Sequence, residues 1–312
     1  MDSRVFRLLR PAFASLGLLL CAAVLRADPL DEWNWRGPGA KESFKGDNYN
    51  GVAFAKDTLV VVGGGFKVLV RKDGDSTWRT SDPGTQHPLY AVTTANDIFY
   101  AVGARGTVLT SKGGETWVAR NSTVVEALMA ITYTDSTFAV VGSGGAVVTS
   151  GRSGIWSAKS SDTVVPLHGV SYFDRKFIAV GAKGTVLKSD NASYWAPQKS
   201  GLDSALYAVA NDGKVFVAVG EDGVILSSSD GSAWTPRNSG TTKSLMGITY
   251  AQGTFVAVGA SGTILTSPDG IAWKARSSGM THLLKSAAFA RNSFWVVGWN
   301  GAILESGAIG GK

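Results

Sequence analysis

The chain has 312 residues, of which 44% are hydrophobic and 17% charged, and its formal net charge is +6. That charge does not indicate nucleic-acid binding, because residues 1–27 hold four of the 30 basic residues and one of the 24 acidic residues, and no cluster of Lys and Arg follows. The single cysteine, Cys21, lies in the same segment, so the rest of the chain has no disulfide and no thiol for catalysis or metal binding.

Residues 1–27 are predicted to be an export signal. Three arginines precede an apolar run from Ala12 to Leu25, which has the length of a signal-peptide core but is shorter than the roughly 20 residues of a membrane span. We expect cleavage near Ala27 and an exported protein, whether periplasmic, lumenal or extracellular; an uncleaved N-terminal anchor is the alternative. No other long apolar run follows, so residues 28–312 are predicted to form one domain without a membrane span.

The rest of the chain repeats with a period of 39 residues. Six tryptophans keep that interval without exception: Trp78, Trp117, Trp156, Trp195, Trp234 and Trp273. A series of glycines has the same interval, and its first member adds one unit before the others at a spacing one residue longer. These glycines are Gly63, Gly103, Gly142, Gly181, Gly220, Gly259 and Gly298. Such regular spacing predicts seven structural units.

Each unit contains four short segments that are typical of strands. In order these are a segment such as LYAV with a small third residue, a buried run such as FVAVG, a segment such as TILTS after a G-x-x-G turn, and a segment that begins at the tryptophan. Small residues suit strands that converge on an axis, so the first segment is expected to be innermost and the tryptophan segment outermost. Four strands in about 40 residues predict an all-β fold, the seven-bladed β-propeller.

The two ends of the chain predict how the ring closes. The seventh unit stops after residues 302–304 and lacks its tryptophan segment, whereas Trp33–Gly39 resembles Trp234–Gly240. We therefore expect the N-terminal segment to supply the outer strand of the last blade, which an open solenoid, the alternative fold, would not require. The one irregular element is Lys41–Asn50, a loop with five additional residues.

The hairpins before the tryptophans resemble the Asp-box (BNR) repeat, Ser/Thr-x-Asp-x-Gly-x-Thr-Trp. Thr110–Trp117 keeps the Thr, Gly, Thr and Trp of that pattern with Lys112 in place of Asp, while Asp230 and Asp269 lie one place later and Asn191 replaces Asp. With seven short units and an export signal, the chain resembles the photosystem II stability/assembly factor family of lumenal or periplasmic propellers. The resemblance implies a cofactor-free protein that holds an assembly intermediate of a membrane complex, and a structural role for the Asp-box residues.

In a propeller, the loops from second to third strand and from outer strand to the next inner strand open on one face, the usual ligand face. Two columns on that face vary between units. The G-x-x-G turns hold Phe66, Arg105, Gly144, Lys183, Asp222, Ser261 and Asn300, with Trp299 beside the last. The inner strands begin with Asn50, Tyr90, Met129, His168, Tyr207, Met246 and Lys285.

From these columns we predict a face that binds a protein partner. Its predicted residues are Tyr90, Arg105, His168, Lys183, Tyr207, Lys285 and Trp299. Aromatic and cationic side chains of this kind are enriched in interface hot spots. A solvated channel mouth that tolerates any residue is the alternative interpretation, and a structural repeat that binds through its rim is another.

Catalysis and metal binding have less support. A glycosidase needs two carboxyl groups about 5 to 9.5 Å apart, and the turns offer only the adjacent Glu221 and Asp222. A sialidase-like site needs an arginine cluster, and of the loop arginines only Arg105 is in position. His87 and His282 occupy equivalent loops two blades apart, too far for one ion. We predict a monomer with no catalytic residue, metal or cofactor; a carbohydrate-binding or hydrolytic, sialidase-like propeller is the alternative function.

Overall fold

A computed structural model describes residues 28–38, 47–65, 67–134, 136–151 and 153–310. The predicted export signal lies outside these residues, as does most of the irregular Lys41–Asn50 loop. The described residues form seven antiparallel sheets of four strands around a central channel. This confirms the predicted all-β, seven-bladed propeller.

Within each blade the strands follow the predicted order from the channel outwards. The inner strands are β2 (Tyr49–Ala55), β6 (Leu89–Ala95), β10 (Leu128–Tyr133), β14 (Leu167–Phe173), β18 (Leu206–Asn211), β22 (Leu245–Ala251) and β26 (Leu284–Ala290). The second strands are β3 (Thr58–Gly63), β7 (Ile98–Gly103), β11 (Phe138–Gly142), β15 (Lys176–Gly181), β19 (Phe216–Gly220), β23 (Thr254–Gly259) and β27 (Ser293–Gly298). The third strands are β4 (Val68–Lys72), β8 (Val108–Ser111), β12 (Val147–Ser150), β16 (Val186–Ser189), β20 (Ile225–Ser228), β24 (Ile264–Ser267) and β28 (Ile303–Ser306). The outer strands are β5 (Arg79–Ser81), β9 (Val118–Arg120), β13 (Trp156–Lys159), β17 (Ala196–Gln198), β21 (Thr235–Arg237), β25 (Lys274–Arg276) and β1 (Trp33–Trp35).

Helical structure in the described residues is limited to single 3-10 turns. One precedes β1 at Pro29–Asp31, and four lie between second and third strands, at Ala104–Gly106, Ser143–Gly145, Glu221–Gly223 and Ala260–Gly262. None of the helices in the described ranges has the length and apolar character needed to cross a membrane.

The ring closes through the N-terminal strand, as predicted. Strand β1 pairs antiparallel with β28, so that Trp33 lies opposite Ser306 and Trp35 opposite Leu304. The last blade therefore has its fourth strand from the other end of the chain. This pairing covers an edge of β28 that would otherwise be free to pair with another chain.

The hydrophobic core lies between adjacent blades. Phe99, Phe216, Phe255 and Phe294 on the second strands are fully buried, and each hydrophobic cluster joins residues of neighbouring blades. Both faces of each sheet are thus covered, which explains why the second strands are continuous apolar runs instead of alternating with polar residues.

The start of the outer strands differs from the prediction. Only β13 and β1 begin at the tryptophan, whereas in the other described blades the tryptophan lies in the hairpin just before the strand. In four of these blades the hairpin holds the indole, as where Trp117 Nε1 donates to Gly114 O at 2.8 Å and Trp234 Nε1 to Gly231 O at 3.2 Å. Sequence spacing could not distinguish a residue bound by the turn from one paired in the sheet.

Candidate binding face around the central channel

The inner strands bulge at the same point in every blade. In the second blade Leu89 faces Gly103 and Ala91 faces Val102, so Tyr90 has no partner in the ladder. The residues at this point are Asn50, Tyr90, Met129, His168, Tyr207, Met246 and Lys285. A bulge redirects a side chain out of the regular pleat, and here all seven side chains line the channel. The variable column of the inner strands is therefore the channel lining.

The channel is a cavity of about 400 Å³ with mixed chemistry. The rings of His168 and Tyr207 lie 5.7 Å apart. Burial, and then the cation of Lys285, lowers the pKa of His168, so its imidazole is neutral at neutral pH. Met129 and Met246 add flexible apolar surface that can adapt to different side chains.

Lys285 is the cation of this channel. Among the described residues its ammonium group has no ion pair or hydrogen bond, and no carboxyl group lines the channel. Burial lowers the pKa of Lys285, since a cation removed from water is disfavoured. A half-buried cation of this kind would be stabilised by an anionic group on a ligand.

The turns between second and third strands surround the channel. Arg105 and Lys183 are exposed at their tips with φ of 52° and 53°. The following glycine also has positive φ, so the turn is of type I′. At Gly106 a Cβ would lie 2.0 Å from Val124 O of the adjoining loop, so only glycine fits there. Trp299, on the last of these turns, has 44% of its surface exposed.

The seven predicted site residues therefore fall into two sets. The channel is lined by Tyr90, His168, Tyr207 and Lys285. The surrounding turns carry Arg105, Lys183 and Trp299, which do not reach the channel. That either set binds a partner stays a prediction.

The irregular loop ends beside the last of these turns. Gly301 N donates to Asp47 O at 2.7 Å, and Gly64 N donates to Asn48 O at 2.9 Å. The described end of the loop thus packs against the turn that carries Trp299. Its residues 41–46 lie outside the described ranges.

Glu221 and Asp222 are placed on the turn of the fifth blade. A carboxyl oxygen of Glu221 accepts a hydrogen bond from Ala205 N at 3.1 Å, which gives it a structural role. Burial, and then the charges of these two acids, raises the pKa of Tyr207. No second carboxyl group faces them from the described channel lining, so the two-carboxylate geometry of a glycosidase is not formed there. That the protein is not an enzyme stays a prediction.

The three histidines do not converge. His168 lines the channel, His282 Nδ1 lies 3.3 Å from Asn300 Nδ2, and His87 lies in the loop before β6. In the part of the chain that the structure describes, no group of three or more His, Cys, Asp or Glu side chains could hold a metal ion.

The hairpins that resemble the Asp-box lie on the opposite face, because each third strand runs away from the channel turns. Asp269 Oδ1 accepts hydrogen bonds from Ile271 N at 2.8 Å and from Ala272 N at 3.1 Å. The equivalent backbone bonds of Asp230, from Ala233 and Ser232, lower its pKa to about 2. These are the contacts of turn-forming residues.

Comparisons with known proteins agree on the fold. Residues 31–176, a little less than half of the chain, match the sequence model of a family described as the DUF6242 beta propeller domain. No curated protein matches.

Solved structures match over most of the chain. YCF48 from Cyanidioschyzon merolae superposes with a TM-score of 0.69 at 18% identity, covering 88% of this chain and 98% of that one. A structure of YCF48 bound to D1 peptide gives 0.68 at 14% identity, with coverage of 88% and 98%. The WD40 propeller domain of Doa1 gives 0.70 at 13% identity, with coverage of 88% and 96%. These likenesses establish the propeller fold. Since propellers serve many functions, the function has to be argued from the site itself.

Proposed function

We propose that this protein is an exported, non-catalytic propeller that binds a segment of a protein partner at its channel face, as an assembly or stability factor of a membrane or envelope complex. The observation that carries the proposal is the bulge repeated in all seven blades, which directs a varied set of side chains into one cavity. A protein of the same fold, YCF48, has been captured with D1 peptide bound.

The chemistry of the channel favours a segment that is both acidic and apolar. Lys285 has no counter-ion among the described residues. Arg105 and Lys183 add positive charge on two of the surrounding turns, while Glu221 and Asp222 place negative charge on another. Tyr90, Tyr207 and the two channel methionines offer aromatic and flexible apolar contacts. A cavity of about 400 Å³ admits side chains of an extended segment and not a folded domain.

Export and the role in a complex rest on the sequence. The arginines and apolar run of residues 1–27 support export, and the resemblance to lumenal and periplasmic assembly factors supports the role. Fractionation of the source cells tests the first point, because a cytoplasmic chain of full length would contradict it.

Site-specific photo-crosslinking tests the binding face. A photoreactive amino acid at Tyr207 should give adducts with a partner in the source cells, and these should weaken when Lys285→Met is added. Lys214 provides both controls, because it lies in the loop between β18 and β19 on the opposite face. A photoreactive amino acid at position 214 is the control for position 207, and Lys214→Met is the control for Lys285→Met. Adducts formed only from position 214, or adducts at 207 that are indifferent to Lys285→Met, would show that the channel face is not the binding site.

A further inference from the structure

A second cleft, of about 800 Å³, lies between the second and third blades on the face opposite the channel turns. Its walls are the hairpin and outer strand of the second blade and the hairpin of the third blade. The proposed function does not use it.

Between three other pairs of blades the equivalent space is closed by a hairpin glycine that packs on the preceding blade. At Gly231 a Cβ would lie 2.4 Å from Ile178 Cδ1, so the hairpin is in direct contact with the second strand of the fourth blade. The same close approach joins Gly270 to Val217 at 2.5 Å and Gly114 to Val60 at 2.6 Å. Each closure thus combines a hairpin glycine with an aliphatic residue.

Both partners differ at the cleft. Ser153 stands where those three hairpins have glycine, and Tyr100 stands where their partner strands have Val or Ile. The neighbouring Gly154 has no atom within 4 Å of its Cβ position, and both Ser153 and Gly154 line the cleft. Tyr100 on one side and the hairpin residues Ser153 and Gly154 on the other thus border an open space.

The seventh blade also has an aromatic residue at this position, with the opposite outcome. There Trp295 takes the aliphatic position, but it is only 1% exposed and its ring packs edge-on against Trp78 at 6.3 Å. An aromatic residue at this position can therefore be buried by the hairpin region. Between the second and third blades it is left facing a cavity.

The floor of the cleft is a continuous aromatic surface. The ring of Phe138 lies 4.2 Å from that of Tyr100, 4.4 Å from Tyr133 and 5.4 Å from Trp156. Burial raises the pKa of Tyr100, which keeps its phenol neutral and able to donate a hydrogen bond.

The rim is polar and consists mostly of uncharged groups. Asn96, Thr116 and Ser136 line it, and Asn96 Nδ2 donates to Tyr133 OH at 3.3 Å. Arg120 is held by a bond from its Nε to Thr110 Oγ1 at 3.1 Å, and its remaining guanidinium N–H groups can donate to a ligand.

We propose that this cleft binds a neutral pyranose ring of a glycan. A pyranose presents C–H groups on its faces and hydroxyl groups around its edge, which matches an aromatic floor bordered by hydroxyl, amide and guanidinium groups. The cleft is within the roughly 300–1,000 Å³ range of small-molecule sites. A proline-rich peptide would also stack on aromatic rings, but it offers few hydroxyl groups to the rim.

Binding of soluble oligosaccharides to the chain from residue 28 onwards tests this proposal. The probes are β-linked oligosaccharides of glucose and of N-acetylglucosamine, measured by saturation-transfer NMR and calorimetry. Tyr133→Leu should raise the dissociation constant by about 3- to 10-fold, because it removes one aromatic contact with the sugar. Tyr250→Leu is the matched control, because Tyr250 packs on Phe255 at 4.7 Å in the sixth blade, where Gly270 closes the space.

Tyr100→Val provides an independent variant that should fold, since valine occupies the equivalent position in the first and fifth blades. It should also weaken saccharide binding while thermal unfolding stays cooperative. The proposal is wrong if no oligosaccharide of the panel binds, or if binding is the same in Tyr133→Leu and Tyr250→Leu. Binding of a proline-rich peptide without saccharide binding would reassign the cleft to peptides.

Discussion

At the scale of single residues, Arg276 fastens the N-terminal strand to the ring. Its side chain is 6% exposed, and its guanidinium bonds to Asp28 at 2.7 Å and to Asp31 at 2.5 Å. The hydrogen bond from Arg276 lowers the pKa of Asp31. Burial acts to raise the pKa of Asp28, but bonds from Leu30 N and Arg276 lower it overall. These contacts lie just before the strand that closes the ring.

We expect Arg276→Met to lower the free energy of unfolding by about 1 kcal/mol near pH 7. A carboxyl group with a lowered pKa stabilises the fold above its unfolded value of 3.8, and that contribution is lost as the pH falls through the folded pKa. The difference from the wild type should therefore shrink below about pH 4, as measured by urea unfolding. Lys274→Met, which removes a more exposed cation near the same acids, is the control. If Arg276→Met lowers the free energy of unfolding equally near pH 7 and below about pH 4, the packing of Arg276 stabilises the fold and its charge does not.

The hairpin aspartates provide a second residue-scale prediction. Asp269 satisfies two backbone N–H groups, so Asp269→Ala should cost about 1 kcal/mol of unfolding free energy. Asp190, an exposed aspartate in the equivalent hairpin of the fourth blade, has no such bonds among the described contacts, and Asp190→Ala should change stability by less than about 0.5 kcal/mol. Chemical denaturation of both variants measures the difference. Equal effects would contradict the turn-forming role.

At the scale of elements, the inner strands combine a bulge with a small residue directly after it. The bulge directs one side chain to the channel, and the small residue lets the next blade approach. At Gly247 a Cβ would lie 2.4 Å from Lys285 O, so the backbone of the seventh blade occupies that space. Close packing of blades and the position of Lys285 are therefore linked.

Gly247→Ala should consequently lower the free energy of unfolding by about 1–3 kcal/mol, the usual cost of overpacking. Gly51→Ala should cost less, because there the nearest atom, Val92 N, is 3.1 Å away. Thermal and urea unfolding of the two variants provide the comparison. If Gly51→Ala is the more destabilising, the blades do not converge as the structure describes.

At the scale of the whole molecule, stability depends on closure of the ring. Trp33 and Trp35 pack with Leu304 in the cluster between the last two blades, and β1 covers the edge of β28. Removing this strand exposes both an apolar surface and unpaired backbone groups.

A chain that begins at residue 37 should therefore be less stable than one that begins at residue 28, by about 3 kcal/mol or more. It should also self-associate as its concentration rises, because the free edge of β28 can pair with another chain. Thermal unfolding and size-exclusion chromatography measure the two effects. Equal melting temperatures of the two chains would show that β1 contributes little to closure.

The sequence by itself determined the number of blades, the order of strands and the closure by Trp33–Trp35. These features repeat within each 39-residue unit, so a pattern of Trp, Gly and small residues along the chain is enough to predict them. The variable column from Asn50 to Lys285 could also be recognised in the sequence, because residue type at this position changes from unit to unit.

Only the tertiary structure decided how those variable residues are arranged. The bulge directs Tyr90, His168, Tyr207 and Lys285 into the channel, whereas Arg105, Lys183 and Trp299 lie on the surrounding turns. The bulge could not be predicted, because it requires no particular residue type at the unpaired position. The cleft depends on Tyr100 in one blade meeting the hairpin around Ser153 in the next. Each unit was predicted from its own pattern, whereas these contacts join different units, and packing between blades is decided in three dimensions.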